Sequence, residues 1–403
     1  MSTSLLYQAF GVKGYKYRST VYVRGQVVFE IERLAEDVWC SRCGSRDVVR
    51  RGKVIRFFRN LPIGRKHTWL SVEVPRVWCP RCDVVRQVPL GFAEPRVQHT
   101  KAFERYVLEL SRHMTIRDVA WHLGVGWDVV KGIQKEYLHQ HFLKPRLKDL
   151  KLLAIDEISV GHGQRYLTVV LDLESGAVVF VGEGKGSEAL GPFWRRLRAS
   201  RAKIRAVAMD MSQAYVRAVT DNLDDATIVF DHFHVIQLFN RKLSDLRRSL
   251  YHDATMGQKK VLKGSRWLLL KNPENLDKKR NEKRRLQEAL KINEPLAMAY
   301  YLKEDLRQLW AQPGKRKAGV FLTDWCRRAK ASGIPILVKF AELLAAHRRG
   351  ILAWYNFPIS TGPLEGTNNK IKTMQRQAYG FRDQEFFMLK IYALHESRYE
   401  LVG

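Results

Sequence analysis

Two short apolar runs in the middle of the chain each end on a carboxylate. Residues 151–156 read Lys-Leu-Leu-Ala-Ile-Asp and residues 205–210 read Arg-Ala-Val-Ala-Met-Asp. Each has the length and bounding of a strand covered on both faces. Between them, alternating segments from Arg165 to Leu173 and from Ala177 to Val181 are joined by a Ser175-Gly176 turn, so three antiparallel strands are expected, followed by a helix at about Ser187 to Ala199. Beyond Asp210 the pattern predicts a helix through Tyr215 and Val219. A strand from Ala226 to Phe230 then runs into Asp231-His232-Phe233-His234.

Three strands, helix, strand, helix, strand is the order of a ribonuclease H-like α/β fold. Its first and fourth strands are neighbours, so Asp156 and Asp210 are expected to face one another. Asp is a poor strand residue, and an unpaired carboxylate at the end of a buried strand costs several kcal/mol, roughly, unless a cation or donors meet it. Two such ends side by side make a cation site of hard oxygen ligands that suits Mg²⁺. The plain alternative is that each Asp caps the helix that follows it.

The rest of the chain changes period several times. Residues 1–95 contain Trp39-Cys40-Ser41-Arg42-Cys43-Gly44 and Val77-Trp78-Cys79-Pro80-Arg81-Cys82, two knuckles separated by about one β-hairpin of alternating sequence. Residues 96–147 are helical, and Thr115 to Lys131 has the layout of a helix-turn-helix. Thr115 is its N-cap, Ala120 the small residue at the crossing, Gly124 and Gly126 lie in the turn, and a second helix starts at about Trp127. An ordinary helical hairpin would read similarly. The strand-rich segment fills 148–237. From 238 to 350 the pattern is helical with no strand signal. In 351–403, Pro363 and Gly380 bracket a last helix with Glu365 in its first turn. A Glu so placed is ordinary compensation of the helix dipole. Asn368, Asn369, Lys370, Lys372 and Arg376 follow it and suit phosphate and sugar contacts.

Charge narrows the partners. The 403 residues carry 70 Lys and Arg against 41 Asp and Glu, a formal net charge of +29 that calls for a polyanion. Nucleic acid is the first candidate. An anionic membrane is the competitor, but no run approaches a spanning helix, and the polar start Met1-Ser-Thr-Ser4 lacks the pattern of a signal peptide, so a cytoplasmic protein is expected, nucleoid-associated when bound to DNA. From Arg241 to Lys291 sixteen basic residues face six acidic ones. That run is a solvated helical face in one reading and a substrate-gripping insertion in the other.

Of five cysteines, four form the two Cys-x-x-Cys pairs. Their spacing makes one tetrahedral zinc held by Cys40, Cys43, Cys79 and Cys82 the natural reading, since a thioredoxin-like βαβ context is missing. Cys326 is expected to be a small helix residue. Arg51, Lys53 and Arg56 alternate with apolar residues between the knuckles, which fits a phosphate-facing surface of a zinc-ribbon-like module. Lys131 and Lys135 lie on the expected recognition helix.

Taken in order, the paired knuckles, Ala154-Ile-Asp156-Glu, Ala208-Met-Asp210-Met-Ser, Asp231-His-Phe-His234 and Gly362-Pro-Leu-Glu365-Gly-Thr-Asn-Asn-Lys-Ile-Lys372 with its Tyr379-Gly-Phe381 end resemble the bacterial insertion-sequence transposases of the ISL-three family. The resemblance covers nearly the whole chain. It implies a zinc-binding domain and a helix-turn-helix that bind terminal inverted repeats, ahead of a ribonuclease H-like catalytic domain interrupted by the basic helical insertion. It also implies a DDE triad of Asp156, Asp210 and Glu365 holding two Mg²⁺ or Mn²⁺ ions. Composition alone does not choose Glu365 over Asp231, which also ends an apolar strand. In that fold, however, the fifth strand lies one position farther from the first, whereas a late helix can cross the sheet. Asp231 and His234 are expected beside the triad, His234 able to orient a ligand or contact the scissile phosphate.

The implied chemistry is hydrolysis that exposes a 3′-hydroxyl at the element end, then in-line attack of that hydroxyl on target double-stranded DNA. Joining two ends in one event implies a homodimer or larger synaptic assembly. Two rivals stand beside this reading: a structure-selective nuclease of the same fold, and a non-enzymatic DNA-binding regulator in which the acids are caps and salt-bridge partners.

Overall fold

The computed structural model describes residues 5–34, 38–161 and 165–395. The expected polar start at 1–4 and the end of the last expected segment, 396–403, lie outside them. The described residues form two compact units, 5–143 with 373–390 and 144–372 with 391–395. The protein is thus a mixed α/β chain of more than one domain.

In the first unit, helix α1 (Leu5–Phe10) precedes strands β1 (Tyr15–Val23), β2 (Gln26–Arg33), β3 (Val49–Ile63), β4 (Lys66–Cys79) and β5 (Val84–Gln87). The expected hairpin between the knuckles is β3–β4, paired antiparallel from Val49↔Trp78 to Ile63↔Lys66. The β1–β2 hairpin joins it through a parallel β2–β4 pair, so the sheet order is β1-β2-β4-β3 with β5 also on β4. Period-two patterning explains which face is covered: Val27, Phe29 and Ile31 on β2 and Leu70, Val72 and Val74 on β4 are all buried. Each such side chain contributes about 1.5–3 kcal/mol relative to exposure.

Helices α2 (Lys101–Leu110), α3 (Ile116–Leu123) and α4 (Trp127–Phe142) follow. They enclose their own core of Phe103, Val107, Val119, Leu123 and Val130. Thr115 caps α3 by accepting from the Asp118 N–H at 3.1 Å, as its position in the sequence suggests. Gly124 ends α3 at φ 60°, and a Cβ there would lie 2.3 Å from the His67 ring, so both the turn and the sheet packed on it demand glycine. Arg59 of β3 ties the same junction. It is 4% exposed, and its guanidinium donates to the Leu123 carbonyl at 2.7 Å and lies over the rings of Trp69 and Phe103. Burial lowers its pKa to about 10.

The second unit is built on β6 (Leu152–Ser159), β7 (Tyr166–Asp172), β8 (Val178–Glu183), β9 (Ala206–Met209) and β10 (Thr227–Phe230), in the order β10-β9-β6-β7-β8. The pairs β6–β7 and β7–β8 are antiparallel, while β6–β9 and β9–β10 are parallel. Helices α5 (Gly191–Ser200) and α6 (Gln213–Thr220) make the crossovers. The sequence expected β6 to stop at Asp156. It runs on to Ser159 because β7 keeps pairing with it through Ser159↔Tyr166, whereas β9 lets go after Ala154↔Ala208. Asp156 therefore sits beside a notch in the sheet rather than at a strand end.

From Asp231 onward the chain is helical: α7 (His232–Asp253), α8 (Met256–Leu262), α9 (Ser265–Leu270), α10 (Glu282–Ile292), α11 (Glu294–Arg307), α12 (Lys315–Ala331), α13 (Pro335–Ala346) and α14 (Arg348–Leu352). Phe239, Trp325 and Phe340 meet at its centre with ring centroids 4.8–6.0 Å apart. Cys326 is buried on α12, its thiol 3.6 Å from the Ala341 carbonyl. Gly350 admits the Phe230 ring to α14, since a Cβ would lie 2.5 Å from it. Helices α15 (Gly362–Gln377) and α16 (Gln384–Ala393) are the last elements among the described residues, with Gly380 at φ 94° after the former. No helix among the described residues is long and apolar enough to cross a membrane.

Candidate active site and zinc centre

The parallel register of β6 and β9 runs Leu152↔Ala206, Leu153↔Val207, Ala154↔Ala208. The pairing ends there, and Asp156 and Asp210 each lie two residues beyond the last pair, with Asp210 near enough to act electrostatically on Asp156. Asp156 is partly buried, and its carboxyl is pushed up to about 6, first by burial and then by the neighbouring Glu157 and Asp210, against the opposing pull of His234. Its Oδ1 accepts from the Glu157 N–H at 2.9 Å, and its Oδ2 accepts from Nδ2 of Asn368 at 3.0 Å. Asp210 accepts from the Ser212 N–H at 2.9 Å through Oδ1, a bond that shapes the entry to α6 and engages one oxygen.

Glu365 lies in the first turn of α15 and is exposed. Three residues later on the same helix, Asn368 reaches Asp156, so that face of α15 is the one turned to the strand acids. Among the described residues, the cysteine quartet is the one group of three or more His, Cys, Asp or Glu side chains gathered within 4.8 Å. Asp156, Asp210 and Glu365 do not form such a group.

Asp231 is employed elsewhere. At 2% exposure it is the N-cap of α7, accepting from the Phe233 N–H at 3.1 Å, and it also accepts from the Thr361 N–H at 3.3 Å and from the Thr361 hydroxyl. The Thr361 carbonyl in turn accepts from the Glu365 N–H at 2.8 Å. Asp231 thus anchors the start of the helix that carries Glu365. His234, one turn into α7, acts electrostatically on both Asp156 and Glu157.

Glu157 was given no role on sequence grounds, and Asn368 was read there only as a phosphate or sugar contact. Glu157 is raised by burial and by Asp210, bonds to the Tyr215 phenol and feels Lys185. The phenol lies 3.1 Å from the Thr168 hydroxyl, which donates to the Gly184 carbonyl at 3.0 Å. The signal for Glu157 was its adjacency to Asp156. For Asn368 it was the three-residue spacing from Glu365, which puts both on one helix face.

The candidate DNA contacts fall into different settings. Arg51 is exposed, Lys53 pairs with Glu73 at 2.5 Å, and Arg56 donates to Gln87 at 3.1 Å and to the Val97 carbonyl at 2.8 Å. On α4, Lys131 lies 2.8 Å from Asp383, and Lys135 pairs with Asp383 at 3.2 Å and with Glu385 at 2.6 Å. Those lysines hold the Asp383 carboxyl well below the usual carboxylate range. Asn369, Lys370, Lys372 and Arg376 are exposed along α15.

In the zinc-binding module, the Sγ atoms of Cys40, Cys43, Cys79 and Cys82 lie within 4.8 Å of one another, with Cys43 and Cys79 at 3.6 Å. Tight turns close both pairs: the Gly44 N–H donates to the Cys40 carbonyl at 3.0 Å and the Asp83 N–H to the Cys79 carbonyl at 2.9 Å. Burial raises the Cys40 thiol, but the N–H groups of Cys43 and Arg42 outweigh it and leave it at about 6. Cys82, facing Cys43, is pushed up to about 12. Four crowded sulfurs that cannot all ionise alone fit one structural zinc, which needs them as thiolates.

A zinc-binding module, a helix-turn-helix and a sheet with two neighbouring acids are the parts of an insertion-sequence transposase. Comparison with known proteins agrees. Residues 153–391 match the transposase family ISL3, residues 88–138 match the helix-turn-helix domain of that family, and residues 36–82 match the zinc-finger of transposases IS204/IS1001/IS1096/IS1165. The chain belongs to the ISL3, or ISL-three, family of transposases. It is 34% identical over 365 residues to the transposase for insertion sequence element IS1001 of Bordetella parapertussis, covering 89% of each chain. It is 32% identical over 373 residues to the transposase for insertion sequence element IS1557 of Mycobacterium tuberculosis, covering 86% of this chain and 83% of that one. A solved Drosophila P element transposase strand transfer complex aligns with 66% of this chain and 81% of that chain at 14% identity and TM-score 0.33, too distant a likeness to bear on the fold.

Proposed function

We propose that this transposase cuts and joins DNA at a divalent-metal site formed by Asp156, Asp210 and Glu365 on a ribonuclease H-like sheet. The observation that carries the reading is the parallel β6–β9 pairing, which ends at Ala154↔Ala208, two residues before each acid, together with the electrostatic effect of Asp210 on Asp156. The sheet order β10-β9-β6-β7-β8 supports the fold, with the first strand central and the fourth beside it. The Asn368–Asp156 bond supports Glu365 as the third acid, because it turns that face of α15 toward the strands.

The residues fit hard divalent ions. They offer carboxylate oxygens only, one of them on a group whose burial disfavours its charge without a cation. Two Mg²⁺ or Mn²⁺ ions bound there would activate the attacking oxygen and stabilise the leaving one. The protein's own work is orientation. Asn368 fixes one oxygen of Asp156, the Ser212 N–H fixes one of Asp210, and the Asp231–Thr361 bonds fix the start of the Glu365 helix. His234 lowers the proton affinity of Asp156, favouring the ionised ligand.

Double-stranded DNA is the substrate in this reading, both the element's inverted repeats and the target. Arg51, Lys53, Arg56, Lys131 and Lys135 would contact it from the first unit. Asn369, Lys370, Lys372 and Arg376 would contact it along α15. The lysines on α4 must exchange Asp383 and Glu385 for phosphates, an exchange that added salt weakens. The basic helices between Leu238 and Gly350 act as an insertion that grips substrate. The working form is a dimer or larger assembly that holds two ends, acting on DNA in the bacterial cytoplasm.

The test is to incubate the purified protein with labelled DNA carrying its element's ends and Mg²⁺, beside Asp156→Asn and Glu365→Gln. Cleaved and joined ends from wild type alone support the reading. Cleavage without joining moves it to a nuclease, and binding without processing by any form moves it to a regulator.

A further inference from the structure

Asn368 stands out among the buried polar groups of the second unit. It is 7% exposed, and its Nδ2 donates to Asp156 at 3.0 Å while its Oδ1 is fully buried and meets no donor among the described residues. The orientation of the amide is dictated by its partner: a carboxylate accepts, so the NH₂ end faces Asp156 and the carbonyl end faces away. A buried amide oxygen without a donor costs about 1–3 kcal/mol. Leu364 and Ile371, in the adjoining turns of α15, are fully buried and fix the helix face that carries the asparagine. An alanine or leucine at 368 would leave this packing in place and remove the donorless Oδ1, losing only the bond to Asp156, so packing alone does not explain an asparagine here.

We propose that Asn368 is a positioning residue of the cation site. Its Nδ2 holds Asp156 in the orientation that binds the ion, and its Oδ1 accepts a hydrogen bond from water in that ion's hydration shell. Mg²⁺ and Mn²⁺ bound by few carboxylates keep several waters, and each water supplies two donors that a buried acceptor can use. The asparagine therefore couples two neighbours of the ion, a carboxylate ligand and a water. This inference rests on the reading of Asp156 and Asp210 as ion ligands and goes beyond it by giving the buried Oδ1 of Asn368 a water of the ion to accept from.

The experiment titrates Mn²⁺ calorimetrically into the zinc-loaded full-length protein: wild type, Asn368→Ala, Asn368→Leu and Asp210→Asn. The proposal expects both Asn368 variants to bind Mn²⁺ roughly ten- to a hundred-fold more weakly, the size typical for residues that orient metal ligands. Their melting temperature in ion-free buffer and their affinity for end DNA without divalent ions should match wild type. A residue that only stabilised α15 would lower both, since Lys370, Lys372 and Arg376 lie on the same helix. Leucine is close in size to asparagine, so it carries the measurement if the alanine variant does not fold. Wild-type Mn²⁺ affinity in both Asn368 variants, with binding lost in Asp210→Asn, overturns the proposal and leaves the site intact. Undiminished binding in Asp210→Asn overturns the site and this inference together.

Discussion

The two candidate metal centres differ in how they are assembled. The cysteine centre is local: two tight turns at the ends of one hairpin bring four sulfurs within 4.8 Å of one another. The acid centre draws on β6, the end of β9 and the start of α15, with Asp156 and Glu365 more than two hundred positions apart in the chain. Its acids do not form such a group. Burial and the other acids already raise Asp156 to about 6. A centre that is already collected can hold a fold together, whereas one that still has to be drawn in by its ions can make assembly depend on substrate and metal.

That contrast can be broken most forcefully at the cysteines. Structural zinc contributes on the order of 10 kcal/mol to small zinc modules. Cys79→Ser should therefore abolish stoichiometric zinc and unfold the β3–β4 hairpin region, read by metal analysis and loss of its backbone amide protection. Retained zinc and protection would make the centre dispensable. Asp210→Asn tests the other side. It should leave zinc and melting unchanged while lowering DNA cleavage by about two orders of magnitude or more, the scale of losing one electrostatic stabiliser. Cleavage within a few-fold of wild type would remove Asp210 from the chemistry.

Asp231→Ala should cost about 3 kcal/mol in urea unfolding, from a lost helix cap and orphaned donors on Thr361. An effect below about 0.5 kcal/mol would mean that the anchor at the start of α15 carries no load. The smallest effect is a pH slope. Asp156 has an ordinary value of 3.8 and a folded value of about 6, so its proton binds more tightly in the folded state. Its contribution is fully stabilising below about 3.8 and is lost as pH rises through about 6. Ion-free stability should fall across that window in wild type, and less so in Asp156→Asn. Equal slopes would place the carboxyl in a wetter environment than its burial indicates.

What the sequence made legible follows the same division. Cysteine spacing and the hairpin between the knuckles could be read directly, because every contact that builds that centre is near in sequence. The adjacency of the first and fourth strands was legible because two apolar runs closed on acids. The continuation of β6 to Ser159 was not, since it depends on β7 remaining paired after β9 has let go. Glu365 rested on family resemblance, as an acid in a helix's first turn looks the same whether it serves the dipole or an ion. Asp231 closes a strand as Asp156 was expected to. Only tertiary structure reveals its two oxygens occupied by Phe233 and Thr361. The pairing of Lys131 and Lys135 with Asp383 and Glu385 was equally out of reach, because those partners lie some 250 residues away along the chain.

The most direct test of the acid centre is anomalous diffraction from crystals of the protein bound to its element's ends and soaked in Mn²⁺. The account predicts manganese peaks within coordination distance of Asp156, Asp210 and Glu365. Peaks held by Glu157 with Asp210, leaving Glu365 uncoordinated, would contradict it.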